Sequence, residues 1–336
     1  MYFPCHLHRR RPVRGFSLVE LIAVLAITAL LAGLLIPAVQ SAREASRRAL
    51  CAGNLRQIGL ALNSYETVHR MFTPGPLADR FGVVHNNYSE LAFLLPFIDQ
   101  GPLFNSLNMD FHDLEAAAQP LLANRTVRNT RLLVYLCPSD GESNHLCSYR
   151  FNRGRYDQER YYMKPRSRSV FDGPFGLGVL PRVSAITDGL SRTAFVSERL
   201  GGDFIPGSGS FPRNIKVPDF EGHRSTTNDA TLISLCLAAP VYGWDCTAGR
   251  YWLFGDFVNT GYNHNGAPND LRITCGPMIG PGRFWSASGG LDPPRSAHPG
   301  AVDVLFGDGH TESVSNSVDP SLWIALGTYD FGDIAD

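Results

Sequence analysis

Seven cysteines are spread over the 336 residues, and no two of them form a C-x-x-C pair. That absence argues against a zinc ribbon and against a thioredoxin-like redox site. The chain also lacks H-E-x-x-H, the Walker A pattern and G-x-G-x-x-G. It therefore offers no metalloprotease helix, no phosphate-cradling loop and no dinucleotide turn. GSGS at 207–210 has the wrong spacing for a G-x-S-x-G nucleophile elbow. There is no EF-hand loop, no internal repeat and no low-complexity tract. An excess of basic charge is confined to the N-terminus. Residues 1–15 hold Arg9, Arg10, Arg11 and Arg14 and no acid, and the remainder carries 26 basic against 31 acidic side chains. A neutral-to-acidic body argues against nucleic acid as the partner, because phosphate binding needs a basic face. No catalytic residue and no cofactor is expected, and an enzyme is the weakest of the functional classes.

Apolar residues make up 44%, enough for a core, and the 33 glycines and 23 prolines point to turns and short strands rather than a helical bundle. One long apolar run stands apart. LIAVLAITALLAGLLI, Leu21 to Ile36, has Thr28 as its single polar residue. With Phe16, Leu18 and Val19 it makes a helix of roughly 31 Å, close to the hydrocarbon thickness of a bilayer.

Three readings compete for this segment. A secretory signal would be cut after the run, but PAVQSAREAS offers no clean small-x-small site. A plain anchor has arginines on both sides, since Arg43, Arg47 and Arg48 follow, so charge does not orient it. The third reading places processing before the run, inside RGFSLVEL. Gly15 lets the backbone approach a peptidase closely. Phe16 becomes the new N-terminus, and Glu20 follows one helical turn on. A lone carboxylate at membrane depth is costly and needs a partner. The amine of Phe16 on a neighbouring subunit supplies one, and only this reading accounts for Glu20.

GFSLVELIAVLAITALLAGLLIPAV resembles the N-terminal motif of type IV prepilins and type II secretion pseudopilins. The resemblance implies cleavage between Gly15 and Phe16 by a prepilin peptidase, methylation of Phe16, and an assembly role for Glu20. Pro37 falls where such helices carry a kinking proline; it removes one helical hydrogen bond. Beyond it the composition remains helical, with Leu55, Ile58, Leu62 and Tyr65 on one stripe.

The body divides at its prolines and glycines. YSELAFLLPFIDQGPLF reads as a short helix split by Pro96 and Gly101. Leu132 to Cys137 reads as a strand ending in a Pro-Ser-Asp-Gly turn. A turn at Asp188-Gly189 precedes a strand near Thr193–Ser197. Residues 201–230 read as a long surface loop, and WLFGDFVNTGYNHNG and RFWSASGG as short strands and loops. Ala301 to Phe306 is a strand with Val302, Val304 and Phe306 on one face. Asp308-Gly309 is a two-residue hairpin turn with both residues at positive φ, and the chain returns from His310 to Val314.

Nine residues separate His298 from Asp308. This H-x9-DG ending resembles a large prepilin-like family of unknown function. Further landmarks of that family stand in order: Cys51, Asn54 and Gln57 in C-x-x-N-L-x-Q-I-G-L-A-L; L-L-P-F; Cys137, Pro138 and Asp140 in C-P-S-D; and Asp188 and Gly189 in T-D-G-x-S-x-T. Two departures stand out. HTES follows the last turn where the family continues D-G-S-(apolar)-x-(aromatic), so the outer strand is expected as an exposed edge. The extended 201–270 region is not matched to that family by any of these landmarks.

The chemistry expected of these residues is modest. His298 and Asp308 sit at the ends of a segment that spans about 33 Å when extended, so they cannot meet. Across a two-residue hairpin His298 would instead face Asp319. The turn acids Asp140 and Asp188 are the calcium candidates, with solvated turn acids as the plainer reading. His264, between Asn263 and Asn265, reads as a turn residue. If Cys5 leaves with a leader, six cysteines remain. Cys137/Cys147 and Cys236/Cys246, each ten apart, suit bridges across a loop, against buried free thiols.

The expected fold is α+β and pilin-like, a long N-terminal helix packed on a mainly antiparallel sheet. Its parts are a leader (1–15), a membrane helix (16–36), an amphipathic extension (37–68) and an extracytoplasmic domain (69–336). The expected function is a structural subunit in the cytoplasmic membrane or a filament. Its partners would be the prepilin peptidase, other pilin-like subunits and lipid. The alternative is a tethered binding module for glycan, solute or protein.

Overall fold

The computed structural model describes residues 15, 17–78, 84–109, 124–141, 144–155, 171–176, 178–218, 233–234, 237–238, 241–272, 274–275 and 291–330. Helix α1 runs from Leu18 to His69. Ser17 and Glu20 start it with a capping box. The Ser17 N–H donates to the Glu20 carboxylate at 2.9 Å, and the Glu20 N–H donates to Ser17 Oγ at 3.2 Å. Two otherwise orphaned helix-end groups are thereby satisfied. The helix continues through Pro37, which has no N–H to give to the carbonyl four residues earlier.

Two compact units divide the chain, Met1–Ser46 and Arg47–Asp336. The boundary falls inside α1, earlier than residue 69. In the first unit the large apolar side chains are exposed all round the helix, from Leu18 through Ile36 to Val39, and the segment is long and apolar enough to cross a membrane. In the second unit Cys51, Leu55, Ile58, Gly59, Ala61 and Leu62 are buried. The stripe read from helical spacing is thus the docking face, which is why this half of the helix belongs to the body.

Five strands form the central sheet in the order β7-β3-β4-β8-β9: β3 (Tyr149–Asn152), β4 (Ala194–Glu198), β7 (Gly261–Tyr262), β8 (Ala301–Phe306) and β9 (Thr311–Ser315). All neighbours are antiparallel except β3 and β7. Two small antiparallel pairs flank it: β1 (Leu77–Ala78) with β2 (Val84–Asn86), and β5 (Ile215–Pro218) with β6 (Val241–Asp245). Both faces of the sheet are covered. Leu305, Val196, Phe151 and Tyr149 share a core with the docking face of α1. Val302, Val304 and Phe306 pack with Ala194, Tyr262, Val314 and Trp323. The other α-helices among the described residues are short: α2 (Glu90–Leu94), α3 (Gly101–Asn105), α4 (Arg125–Arg128) and α5 (Pro320–Leu326). β9 is an edge strand and exposes Glu312 and Ser313, as the polar HTES predicted.

Several local expectations are corrected. Leu132 to Cys137 is not a strand. It holds a 3-10 turn, Leu133–Tyr135, and Pro138–Asp140 forms a second. The final hairpin loop has three residues, Gly307–Asp308–Gly309. Gly309 N–H donates to Phe306 O at 2.9 Å, and Phe306 N–H donates to His310 O at 2.9 Å. Only Gly309 has positive φ, +94°, as in hairpins that add one left-handed residue to an ordinary turn. The 201–230 segment is not all surface loop, since Gly201 and Gly202 are buried and Ile215–Pro218 is a strand. RFWSASGG lies outside the described residues.

The body buries many charges. Arg150, Arg153, Arg199 and Arg295 are among its largest fully enclosed side chains. Arg153 pairs with Glu90 and donates to the carbonyls of Phe175 and Gly255. Arg199 pairs with Asp292 at 2.7 Å. Such charges persist in a core only when paired and hydrogen-bonded.

Candidate functional site

Cys51 lies on the docking face of α1, and Asn54 follows on the same face. The Asn54 side-chain amide donates to the carbonyl of Leu136 at 2.8 Å and of Leu133 at 3.3 Å. These bonds hold the turn that ends in Cys137 against the helix. Cys137 then precedes Pro138, the first residue of its 3-10 turn. The outcome is a Cys51–Cys137 disulfide with a Cα–Cα distance of 4.9 Å across 86 residues of sequence.

This pairing replaces the expected Cys137/Cys147 bridge. Cys147 is a buried free thiol whose Sγ donates to the Tyr149 carbonyl at 2.9 Å. Burial pushes its pKa up to about 12. Cys246 is also free, which excludes Cys236/Cys246, and Cys275 is disulfide-bonded. Equal spacing misled because helix packing, not loop length, sets which sulfurs meet.

His298 reaches the same place from the segment before β8. Its Nε2 lies 3.7 Å from Cys137 Sγ and 3.5 Å from Glu198 Oε1. It does not face Asp319, whose carboxylate caps α5 by accepting from Ser321 and Leu322 N–H. The β8–β9 pairing ends at Ala301 and Ser315, so His298 lies outside the hairpin ladder that had aimed it there. Glu198 ends β4. Its Oε2 accepts from the Asp303 N–H at 3.2 Å, whereas Oε1 is buried with no hydrogen-bond partner. Sequence reading missed Glu198; the available signal was an acid at the end of the apolar strand AFVS. The ligand-type atoms of Cys51, Cys137, Glu198 and His298 all lie within 4.8 Å of one another, and all four residues are buried.

Asp140 is the second centre of the C-P-S-D turn. Its carboxylate accepts from Arg213 at 2.8 Å, from the Gly201 N–H at 2.9 Å and from Ser148 Oγ at 3.1 Å, with His145 Nε2 at 2.9 Å. Burial pushes its pKa up, but His145, Arg213 and Gly201 outweigh burial and hold it below the usual range. Both oxygens are occupied by donors, so Asp140 is an internal ion-pair hub rather than a solvated turn acid.

The other predicted positions have plainer roles. Asp188 is half-buried and accepts from Thr328 Oγ1 at 3.3 Å, and Gly189 adopts φ +96°. Asp308 accepts from the His310 N–H at 3.0 Å; burial pushes its carboxyl up, but the His310 backbone and ring contacts outweigh burial and hold it low. Gln57 is exposed. His264 is a core residue, stacked on Trp323 at 3.9 Å between ring centroids, with Nδ1 2.7 Å from the Trp323 carbonyl. Burial lowers its pKa to about 3. Gly15 is exposed, and Phe16 lies outside the described residues.

The family description "Protein of unknown function (DUF1559)" matches residues 40–321. The chain belongs to the DUF1559 family. The prokaryotic N-terminal methylation motif matches residues 10–36. No curated protein and no solved structure matches the chain. This DUF1559 protein is prepilin-like, and the methylation motif implies processing by a prepilin peptidase. Within its DUF1559 body the C-x-x-N, C-P-S-D and H-x9-DG landmarks converge on the Cys51–Cys137–His298 neighbourhood.

Proposed function

We propose that this DUF1559 protein is a non-enzymatic, pilin-like structural subunit of a type IV pilus or type II secretion-like assembly. The peptidase cuts between Gly15 and Phe16 and methylates Phe16. The helix from Leu18 onward anchors the chain in the cytoplasmic membrane, and the body stands outside the cytoplasm. The observation that carries the reading is the methylation motif on a helix with unburied apolar side chains on every side. Such a surface is stable only against lipid or other helices. The disulfide supports an oxidising compartment for the body.

In the single chain Glu20 is engaged with Ser17. In the assembly it also meets the Phe16 amine of a neighbour. Edman sequencing and mass measurement of the mature protein should give methylated Phe16 as the first residue; a start beyond Ala38 would overturn the reading. Shearing of cells then separates two outcomes. Release in filaments supports the subunit, whereas retention as single membrane-bound chains favours a tethered binding module.

A further inference from the structure

A structural disulfide needs two cysteines and nothing else. Here it is flanked by a buried imidazole and a buried carboxylate oxygen that has no hydrogen bond. That oxygen contacts the imidazole Nε2 at 3.5 Å, too long for a good hydrogen bond, and enclosing an oxygen so weakly paired costs free energy. We propose that Cys51, Cys137, Glu198 and His298 form a binding site for a thiophilic divalent cation, zinc by ligand type, when the Cys51–Cys137 disulfide is reduced.

The distances support a four-coordinate centre. Zinc bonds of about 2.3 Å to sulfur and about 2.0 Å to nitrogen or oxygen set ligand separations of about 3.3–3.8 Å in a tetrahedron. Cys137 Sγ to His298 Nε2 is 3.7 Å, and His298 Nε2 to Glu198 Oε1 is 3.5 Å. These two edges already have tetrahedral length. The other separations are within 4.8 Å, and a third edge is closed by the S–S bond. Its cleavage frees two soft ligands beside a nitrogen and an oxygen, a mixed set suited to zinc. Glu198 is also positioned behind the site, since Oε2 is fixed by the Asp303 N–H, as outer contacts orient metal ligands. A small pocket beside the cluster is lined by Cys137, Glu198, Ser296 and Ala297.

The chemistry balances with a dithiol reductant. Two electrons and two protons pass from the dithiol to the Cys51–Cys137 bond, giving two protein thiols and the oxidised reductant. Cation binding then releases the two thiol protons to solvent and forms two metal–sulfur bonds. One set of residues thus holds either a disulfide or a metal, according to redox state. The inference is independent of the assembly reading.

The test uses the full chain in detergent, reduced without air by a phosphine and titrated with Co2+ and then Zn2+. One Co2+ per chain is expected, with a thiolate-to-cobalt charge-transfer band and tetrahedral visible bands that zinc abolishes. The oxidised chain should show neither. His298→Ala and Glu198→Gln should each weaken binding by at least about tenfold, the lower range seen even for outer-shell losses. Zinc should also shield Cys51 and Cys137, but not Cys246, from alkylation mapped by mass spectrometry. That readout holds even where a variant folds poorly. Absence of the charge-transfer band in the reduced wild type, equal alkylation of Cys51 and Cys137 with and without zinc, or wild-type affinity in both variants would overturn the proposal.

Discussion

The Asn54 side-chain amide donates to the Leu136 carbonyl at 2.8 Å, across 82 positions of sequence. This bond docks the turn before Cys137 on the helix that carries Cys51. Asn54→Ala leaves the Leu136 carbonyl without that donor in a segment that is largely buried. A loss of about 1–3 kcal/mol is expected. Thermal unfolding of the detergent-solubilised chain measures it, and an unchanged midpoint would rule the docking role out.

The cysteine pairing is directly checkable. Non-reducing peptide mapping should recover a Cys51–Cys137 linked peptide and an unlinked Cys147. Cys51→Ser or Cys137→Ser should cost about 2–5 kcal/mol, the usual range for a native bridge. Cys147→Ser should leave the map unchanged. Recovery of a Cys137–Cys147 peptide instead would contradict the structure.

His264 makes stability depend on pH in a defined direction. Its folded pKa is about 3, and its unfolded pKa is about 6.5. Below about 6.5 the unfolded chain binds a proton that the folded chain refuses, so stability falls with falling pH until about pH 3. Between pH 7.5 and pH 5 the contribution is roughly 2 kcal/mol. His264→Gln should flatten the profile in that window relative to wild type. A variant with the wild-type slope would show that other groups set the acid sensitivity.

Glu20 has two separable roles. Glutamine at this position can still close a capping box with Ser17, but it carries no charge for a neighbour's amine. Glu20→Ala should remain cleavable yet fail to assemble. Glu20→Gln should fail in the same way if charge pairing governs assembly. Normal filaments from Glu20→Gln, scored by shearing and immunoblot, would leave Glu20 with capping alone.

Much of the frame was legible because it is encoded by neighbouring residues. The apolar run and the Leu55–Ile58–Leu62 stripe each mark a helix, and helix α1 follows them. The final hairpin follows from alternating Val302, Val304 and Phe306 and a glycine turn, although the loop is one residue longer than Asp308-Gly309 alone suggests. Leu132 to Cys137 misled for the converse reason. A tight turn splits its apolar residues, with Tyr135 buried and Leu133 exposed, and short apolar runs carry no period to tell turn from strand.

The site itself was not legible as a site. Cys51, Cys137 and His298 each stood out singly, and Glu198 did not stand out at all. Amino-acid order determined the processing segment, the long helix, the hairpin and the polar outer strand, because each needs only contacts within a few residues. Tertiary structure decided that Cys51 bonds Cys137, that His298 turns to Glu198 rather than Asp319, and that Asp140 is enclosed by Arg213 and His145. Those outcomes depend on how α1 packs on the sheet and where β4 ends beside β8. Packing of elements far apart in the chain sets such distances, and local propensity does not.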